Sequence, residues 1–285
     1  MKIITDCAAD LTPAEAAELD IAVAPLFIQF PGEEVNAWDL TPDAFYDRLQ
    51  GMWPQIPTTA QPSAGLFADL YAKLGASGEP LLSIHISSGL SGTIQSARLG
   101  AENAPNVTLV DSMTLAGGQR FQVLAAARAA RAGWALPDIL ARLTAIRDAA
   151  EVVYTLETLT YLAKGGRIGR VSALAGSLLH IKPVIHVDHA DGKYSNVGKG
   201  RSLPRAMEII VDHLRTKYGA EEPLWLTLQH GQRPALAETM AEMLRAALHV
   251  GHMETIRVSP VLGVHTGPGI IGVGALPMSL VADLP

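Results

Sequence analysis

The sequence predicts an α/β fold: an N-terminal parallel-sheet domain with helices on both faces over residues 1–150, and a smaller α+β domain over residues 151–285. Three observations predict it. Short apolar runs alternate with helical stretches of about 10–15 residues through the first half, the rhythm of βαβ units. Helix-start signals punctuate that rhythm at Thr12-Pro13, Thr41-Pro42 and Pro137. The second half loses the rhythm, and Asp191-Gly192 sits between extended segments as a hairpin turn would.

Residues 2–5 form a first apolar strand. Thr12, Pro13 and Glu15 then stand at N-cap, N1 and N3, a capping box that opens a helix. Residues 21–30 read as a second strand, Thr41-Pro42-Asp43 opens a helix to about residue 49, and 54–62 is a loop rich in Pro and Thr. A helix over 63–74 leads to a strand at 81–86, a Ser/Gly loop at 87–92, a helix to about 102 and a strand at 107–110. Helices over 116–132 and from Pro137 to about 149 close the first domain. Beyond it, 152–155 reads as strand, 157–163 as helix and 182–187 as strand. Helices at 204–217 and 234–248 flank a strand at 224–228, and Val258 with 271–280 adds extended structure.

Composition narrows the function classes. The 285 residues are 48% hydrophobic and 18% charged, the opposite of a disordered composition. A net charge of −6 speaks against a nucleic-acid-binding face. The single cysteine, Cys7, builds no disulfide framework, and Asp6 interrupts any apolar leader. Residues 258–282 carry no charge and match a membrane span in length, but they hold Pro260, Pro268, Pro277, His265 and five glycines. That composition leaves too much backbone unsatisfied in lipid. The expectation is buried strand and loop in a soluble, cytoplasmic protein with no membrane insertion.

Several motifs fall short of the chemistry they suggest. Gly267-Pro268-Gly269-Ile270-Ile271-Gly272 fits G-x-G-x-x-G, yet residues 273–285 do not read as the helix a dinucleotide site needs. Gly89-Leu90-Ser91-Gly92 lacks the second glycine spacing of a nucleophile elbow. His186 and His189 stand three apart on a predicted strand, so their imidazoles are expected to diverge. No metal site and no cofactor is expected.

Other motifs point to an anion. Ser87-Ser88-Gly89-Leu90-Ser91-Gly92-Thr93 comes after a strand and opens a helix, where free N–H groups and the helix dipole favour negative charge. An ordinary serine N-cap is the plainer alternative. Thr58-Thr59-Ala60-Gln61-Pro62-Ser63 is a second hydroxyl-rich loop; Ser63 reads as an N-cap, leaving Thr59 free. In Lys164-Gly165-Gly166-Arg167-Ile168-Gly169-Arg170, a glycine C-cap accounts for Lys164 and Gly165 but not for Arg167 and Arg170. His265 and Thr266 lie in a glycine loop, where a lone histidine is usually a satisfied core residue.

Taken together, these segments resemble the DegV family of bacterial fatty-acid-binding proteins. The resemblance spans the chain in collinear order: Thr5-Asp6-Cys7-Ala8-Ala9-Asp10-Leu11, Thr59-Ala60-Gln61-Pro62-Ser63, Ser87 to Thr93, Val110-Asp111-Ser112, Leu162 to Gly169, and Gly263-Val264-His265-Thr266-Gly267-Pro268-Gly269. It implies a two-domain fold with one long-chain fatty acid between the domains. It places Thr59 and Ser91 on the carboxylate, with Ser88, Gly92, Thr93, Arg167, His265 and Thr266 as the supporting head-group site. It further implies a carrier without catalysis of its own, serving phospholipid synthesis by presenting the acid to a separate ATP-dependent fatty acid kinase. Arg170 and Arg201 are the candidate docking residues for that kinase. Cys7 and Ala60 stand where the family has serine, so Ala60 removes one hydroxyl from the mouth. Two alternatives remain open: a phospho- or acyltransferase using His265 with Ser91, and a lipid-status sensor or adaptor.

Overall fold

The computed structural model describes residues 1–177 and 181–284. In chain order the first part runs β1 (Lys2–Asp6), α1 (Pro13–Glu18), β2 (Ile21–Ala24), β3 (Phe27–Phe30), β4 (Glu33–Asn36), α2 (Pro42–Gly51), β5 (Thr58–Ala60), α3 (Ala64–Leu74), β6 (Leu81–His85), α4 (Thr93–Gly100), β7 (Val107–Asp111), α5 (Ala116–Arg131) and α6 (Leu136–Ala149). The rest is β8 (Glu151–Thr155), α7 (Thr160–Lys164), β9 (Lys182–Asp188), β10 (Lys193–Gly200), α8 (Leu203–Tyr218), β11 (Leu224–His230), α9 (Pro234–Ala247), β12 (Val250–Arg257), α10 (Pro260–Thr266) and β13 (Ile271–Pro277).

Two large sheets are stacked with helices between and outside them. A four-stranded parallel sheet has the order β2-β1-β6-β7, and a six-stranded mixed sheet the order β10-β9-β8-β13-β11-β12. Alternation along β1 sends Ile4 to α3 and α4, where it packs with Phe67, Tyr71 and Ala97. Ile3 points the other way, into the cluster that holds Phe121 and Leu124 of α5. Helix α5 thus lies between the sheets and is buried nearly all round. Its small residues make that possible: a Cβ on Gly117 would stand 3.1 Å from the Gly274 Cα of β13. Helices α8 and α9 cover the outer face of the six-stranded sheet through Met207, Ile210, Leu214, Met240 and Leu244.

The predicted strand over 21–30 is two strands in different sheets. Pro25 breaks it, so β2 stays in the parallel sheet while β3 joins a three-stranded antiparallel sheet of order β4-β3-β5. The loop expected at 54–62 contributes β5 to that sheet, Thr59 pairing with Ile28. The buried 258–282 stretch was expected to be strand and loop. It begins instead with α10, because Pro260 at N1 starts a helix that Gly263 and the valines disguise. Strand β12 has no apolar run to predict it, since it is a largely exposed edge, parallel to β11. The helix expected over 157–163 shrinks to the short α7. The Asp191-Gly192 hairpin is present, with Gly192 at φ 65° in the left-handed region. No described helix is long and apolar enough to cross a membrane.

Candidate functional site

Five segments distant in sequence meet: the loop after β6, the β9–β10 hairpin, β5, α10 and the segment after α7. The first is the loop after β6. Its serine Ser87 is buried and donates from Oγ to the Gly192 carbonyl at 2.8 Å, while the Gly89 N–H donates back to that Oγ at 3.1 Å. Gly89 is obligatory there, because a Cβ would stand 2.5 Å from the Asp191 oxygen and 2.8 Å from the Gly192 oxygen. The β9–β10 hairpin therefore braces the loop from the other half of the chain. Ser91 Oγ lies 2.8 Å from Thr93 Oγ1 and accepts from the Thr93 N–H at 3.3 Å. Gly92 occupies the N-cap of α4, and no side chain caps that helix. The first turn of α4 carries no acidic residue, so its amides and dipole are directed at the Ser91 side.

The second segment is β5. The Gln61 side chain just beyond it lies against Gly92, where an added Cβ would be 2.7 Å from Nε2, so the two hydroxyl-bearing segments are in contact. Gln61 is a site residue that sequence reasoning missed, its only signal being a place in a hydroxyl-rich loop. Thr59 Oγ1 sits 2.8 Å from His265 Nε2 of α10. The other ring nitrogen, Nδ1, is buried without a hydrogen-bond partner among the described residues. A buried lone pair is less costly to leave unpaired than a buried N–H. That favours the tautomer with the proton on Nε2, donating to Thr59 Oγ1. The threonine hydrogen is then free to donate to an incoming anion.

The third segment comes after α7. Gly165 packs on the His265 ring, where a Cβ would fall within 2.8 Å of Cε1. Arg167 donates from Nη1 to the Gly165 carbonyl at 2.7 Å. Burial first, and the Arg167 charge second, hold the His265 imidazole down at about 4. His265 is therefore neutral near pH 7 and orients Thr59, while Arg167 supplies the positive charge. A cavity of about 410 Å³ opens between the loop after β6, the segment after α7 and the start of β10, lined by Gly89, Leu90, Arg167, Arg170, Lys193 and Tyr194; Thr59, Ser91 and His265 lie outside its lining.

The remaining residues singled out from sequence are placed less centrally. Ser88 is exposed, its N–H donating to the Asp111 carboxylate at 3.2 Å. Thr266 faces inward rather than to the mouth: it is buried, and its Oγ1 donates to the Leu262 carbonyl at 3.1 Å. It is the next residue along the helix after His265, which turns the two side chains to different sides. Arg170 lines the mouth cavity and pairs with Asp191 at 2.9 Å. Arg201 is exposed just before Ser202, the N-cap of α8. His265 contacts Thr59 and not Ser91, whose oxygen is engaged by Thr93.

Behind the mouth lies an apolar interior built from both halves. Leu115 and Ala116 meet Val152 and Tyr154 of β8, Ile185 and Val187 of β9, and Val258, Leu262 and Ile270 from the uncharged stretch. The Tyr154 and Tyr194 rings meet edge-on at 5.9 Å, and the Tyr154 hydroxyl is buried without a hydrogen-bond partner among the described residues. The void among Leu115, Tyr154, Tyr194, Leu262 and Thr266 measures about 10 Å³.

The divergence expected for His186 and His189 does not occur. Strand β9 ends at Asp188 and the chain turns, so both rings come to Glu151, with His186 Nδ1 at 2.9 Å and His189 Nε2 at 3.9 Å.

Comparison with known proteins places this geometry in a context. A family model described as "Uncharacterised protein, DegV family" matches residues 1–278. A DegV domain-containing protein of Deinococcus radiodurans is 38% identical over 276 residues, covering 96% of this chain and 95% of that protein. The solved structure of a DegV family protein from Thermus thermophilus, described for its fatty acid binding, superposes with a TM-score of 0.89 at 31% identity, covering 97% of this chain and 99% of the other. DegV of Bacillus subtilis, described as a fatty acid binding protein, gives a TM-score of 0.87 at 28% identity over 97% and 98% of the two chains.

Proposed function

We propose that this chain, which belongs to the DegV family, binds a long-chain fatty acid, with the carboxylate at Thr59 and Ser91 and the acyl chain in the interior between the two sheets. One observation carries the reading. Thr59 is hydrogen-bonded at 2.8 Å to neutral His265, Gln61 joins its segment to the start of α4, and Arg167 is bonded to the Gly165 carbonyl beside the His265 ring. Hydroxyls, amides and one guanidinium are the donor set that a desolvated carboxylate requires. The solved relatives described as fatty acid binding proteins support the ligand class.

The interior void, about 10 Å³, has room for about one water at most. An acyl chain therefore enters by parting the Tyr154, Tyr194 and Leu262 side chains. Burying it returns about 0.8 kcal/mol per methylene, so a dozen methylenes gain roughly 10 kcal/mol before ordering costs. This donor set binds and orients a carboxylate. The reading is a carrier that displays the carboxylate at an open, cationic mouth to a separate fatty acid kinase, with Arg167, Arg170 and the exposed Arg201 on the approach.

The test is denaturing extraction of the purified protein with mass spectrometry, and then titration with a fluorescent long-chain fatty acid. One acid per chain is expected. Replacing Thr59 with Val and Ser91 with Ala removes two charge-assisted bonds of about 1.5–3 kcal/mol each, a loss of 100-fold or more in affinity. A chain that retains no fatty acid after loading, or a double variant that binds as tightly as the parent, refutes the assignment.

A further inference from the structure

We propose that this chain carries a second site, for one divalent transition-metal ion of the zinc type, formed by Glu151, His186, His213 and His189. It lies where α8 packs over β8 and β9, separate from the mouth. The ligand atoms of Glu151, His186 and His213 all fall within 4.8 Å of one another. Glu151 is buried at the start of β8, with His186 Nδ1 at 2.9 Å and His213 Nε2 at 3.6 Å from Oε1. His189 Nε2 stands 3.9 Å from Oε2.

Charge balance alone does not account for this grouping. Lys217 Nζ lies 2.7 Å from Glu151 Oε2 and neutralises the carboxylate by itself. Three further imidazoles converge on it from three elements: β9, the turn after β9, and α8. The His213 Nε2 atom is buried and has no hydrogen-bond partner among the described residues, although it stands 3.6 Å from Oε1. As a lone pair it would face an anion across 3.6 Å; as an N–H it would be a donor short of its acceptor. A cation between the two atoms resolves either case.

The chemistry of the donors selects the ion. Three imidazoles and one carboxylate form a nitrogen-rich set suited to zinc, cobalt, nickel or copper and poor for calcium or magnesium. Tetrahedral zinc with bonds of about 2.1 Å needs ligand atoms roughly 3.4 Å apart. The Oε1 distances of His186 and His213, 2.9 and 3.6 Å, bracket that separation, so these three groups can take the ion on Oε1 while Lys217 stays on Oε2, and His189, whose Nε2 faces Oε2 at 3.9 Å, completes the set by swinging in from its turn. His189 sits in the turn that continues to Asp191 and Gly192, the residues pressing on Gly89 and Ser87. The ion anchors that turn to the sheet.

The experiment uses the full chain, stripped with a chelator and dialysed, with Zn²⁺ alone as the probe. Calorimetry and elemental analysis after dialysis are expected to give one Zn²⁺ per chain at micromolar or tighter affinity. Co²⁺ is expected to show the intense visible bands of a four-coordinate, nitrogen-rich site. His186→Gln and His213→Gln each remove a direct ligand and are expected to weaken binding by more than the roughly 10–100-fold typical of outer partners. His189→Gln, at an exposed turn, keeps the fold and is expected to reduce the rise in melting temperature that Zn²⁺ produces. Lys217→Met removes the competing ammonium and is expected to tighten Zn²⁺ binding. A folded parent chain that takes up no Zn²⁺, or Zn²⁺ binding unaltered by both His189→Gln and the His186/His213 replacements, overturns the proposal.

Discussion

Replacing His265 with Gln is expected to make the fold more resistant to acid. Burial and the Arg167 charge depress this imidazole from 6.5 to about 4. An unfolded chain takes up the proton near pH 6.5, whereas the folded chain refuses it until about pH 4. Between those values the unfolded state binds more protons, so stability falls as pH falls. The slope is about 1.4 kcal/mol per pH unit, and over the interval from 6.5 to 4 it amounts to about 3 kcal/mol. Above pH 6.5 the effect vanishes, and below pH 4 it is constant. Asp10 works in the opposite sense over an overlapping window. Burial raises its carboxyl from 3.8 to about 7, so its contribution falls as pH rises through that range. The wild-type pH profile alone therefore blends two opposing slopes. Subtracting the profile of His265→Gln removes everything the two chains share, including Asp10. The glutamine amide still offers an N–H to Thr59. Urea unfolding with matched slopes, from about pH 7.5 down to pH 4, measures the difference. A shift of about 3 kcal/mol in favour of the variant is expected. A difference that stays constant across the range refutes the buried, neutral imidazole.

Asp10→Asn is expected to gain on the wild type as pH rises from about 4 to 8, by up to about 4 kcal/mol in thermal or urea unfolding. Asn keeps the acceptor for the Ser259 N–H at 2.9 Å and tolerates the left-handed φ of 51° at this position. Gly89→Ala drives a Cβ into the Asp191 and Gly192 carbonyls and is expected to cost about 1–3 kcal/mol while weakening fatty-acid affinity, read by urea unfolding and fluorescent titration. Gly117→Ala sets a Cβ 3.1 Å from the Gly274 Cα and against Thr227; a loss of about 2 kcal/mol without a specific effect on binding is expected, and unchanged stability would show that α5 can move off the sheet.

How legible each element is in the sequence depends on the range of the signal behind it. Capping and turn chemistry are local, so α1, α2, α3 and the Asp191-Gly192 hairpin are readable: Thr12, Thr41 and Ser63 each accept from a backbone N–H in the first turn. Sheet membership is not local. Pro25 marks a break, but it takes the antiparallel pairing of Ile28 with Val35 and Thr59 to show that β3 leaves the parallel sheet. Helix α10 is hidden because its seven residues are all buried and show no polar face to set a period. The site divides in the same way. Thr59, Ser91, Arg167 and His265 stand out as hydroxyls, a cation and an imidazole in glycine-containing segments. Gln61 does not, since its role is to fill the space beside Gly92, a contact that depends on the folded arrangement. Glu151 and His213 are equally invisible, because the group they form with His186 is spread over 63 positions, from 151 to 213. His189 misleads because strand alternation does not carry past the end of β9 at Asp188.

The placement of His265 ties the mouth to the closure of the two halves. Its partner Thr59 lies 206 positions away, on a strand of the small antiparallel sheet, while Gly165 and Arg167 reach the ring from the other side. The same α10 that carries His265 contributes Val261, Leu262 and Val264 to the apolar interior. A single short helix thus joins the polar end of the site to its apolar wall. In the proposed binding mode, parting Tyr154 and Leu262 to admit an acyl chain would move the wall against the helix that sets Thr59. That mode would couple head-group geometry to chain accommodation. A shortening of the acyl chain is expected to lower affinity by less than the full value of about 0.8 kcal/mol per methylene, because less displacement of α10 is then required. A series of saturated acids compared by calorimetry measures that slope. A slope at the full transfer value, with no dependence on replacing Leu262 by Ala, would show that the wall and the mouth are independent.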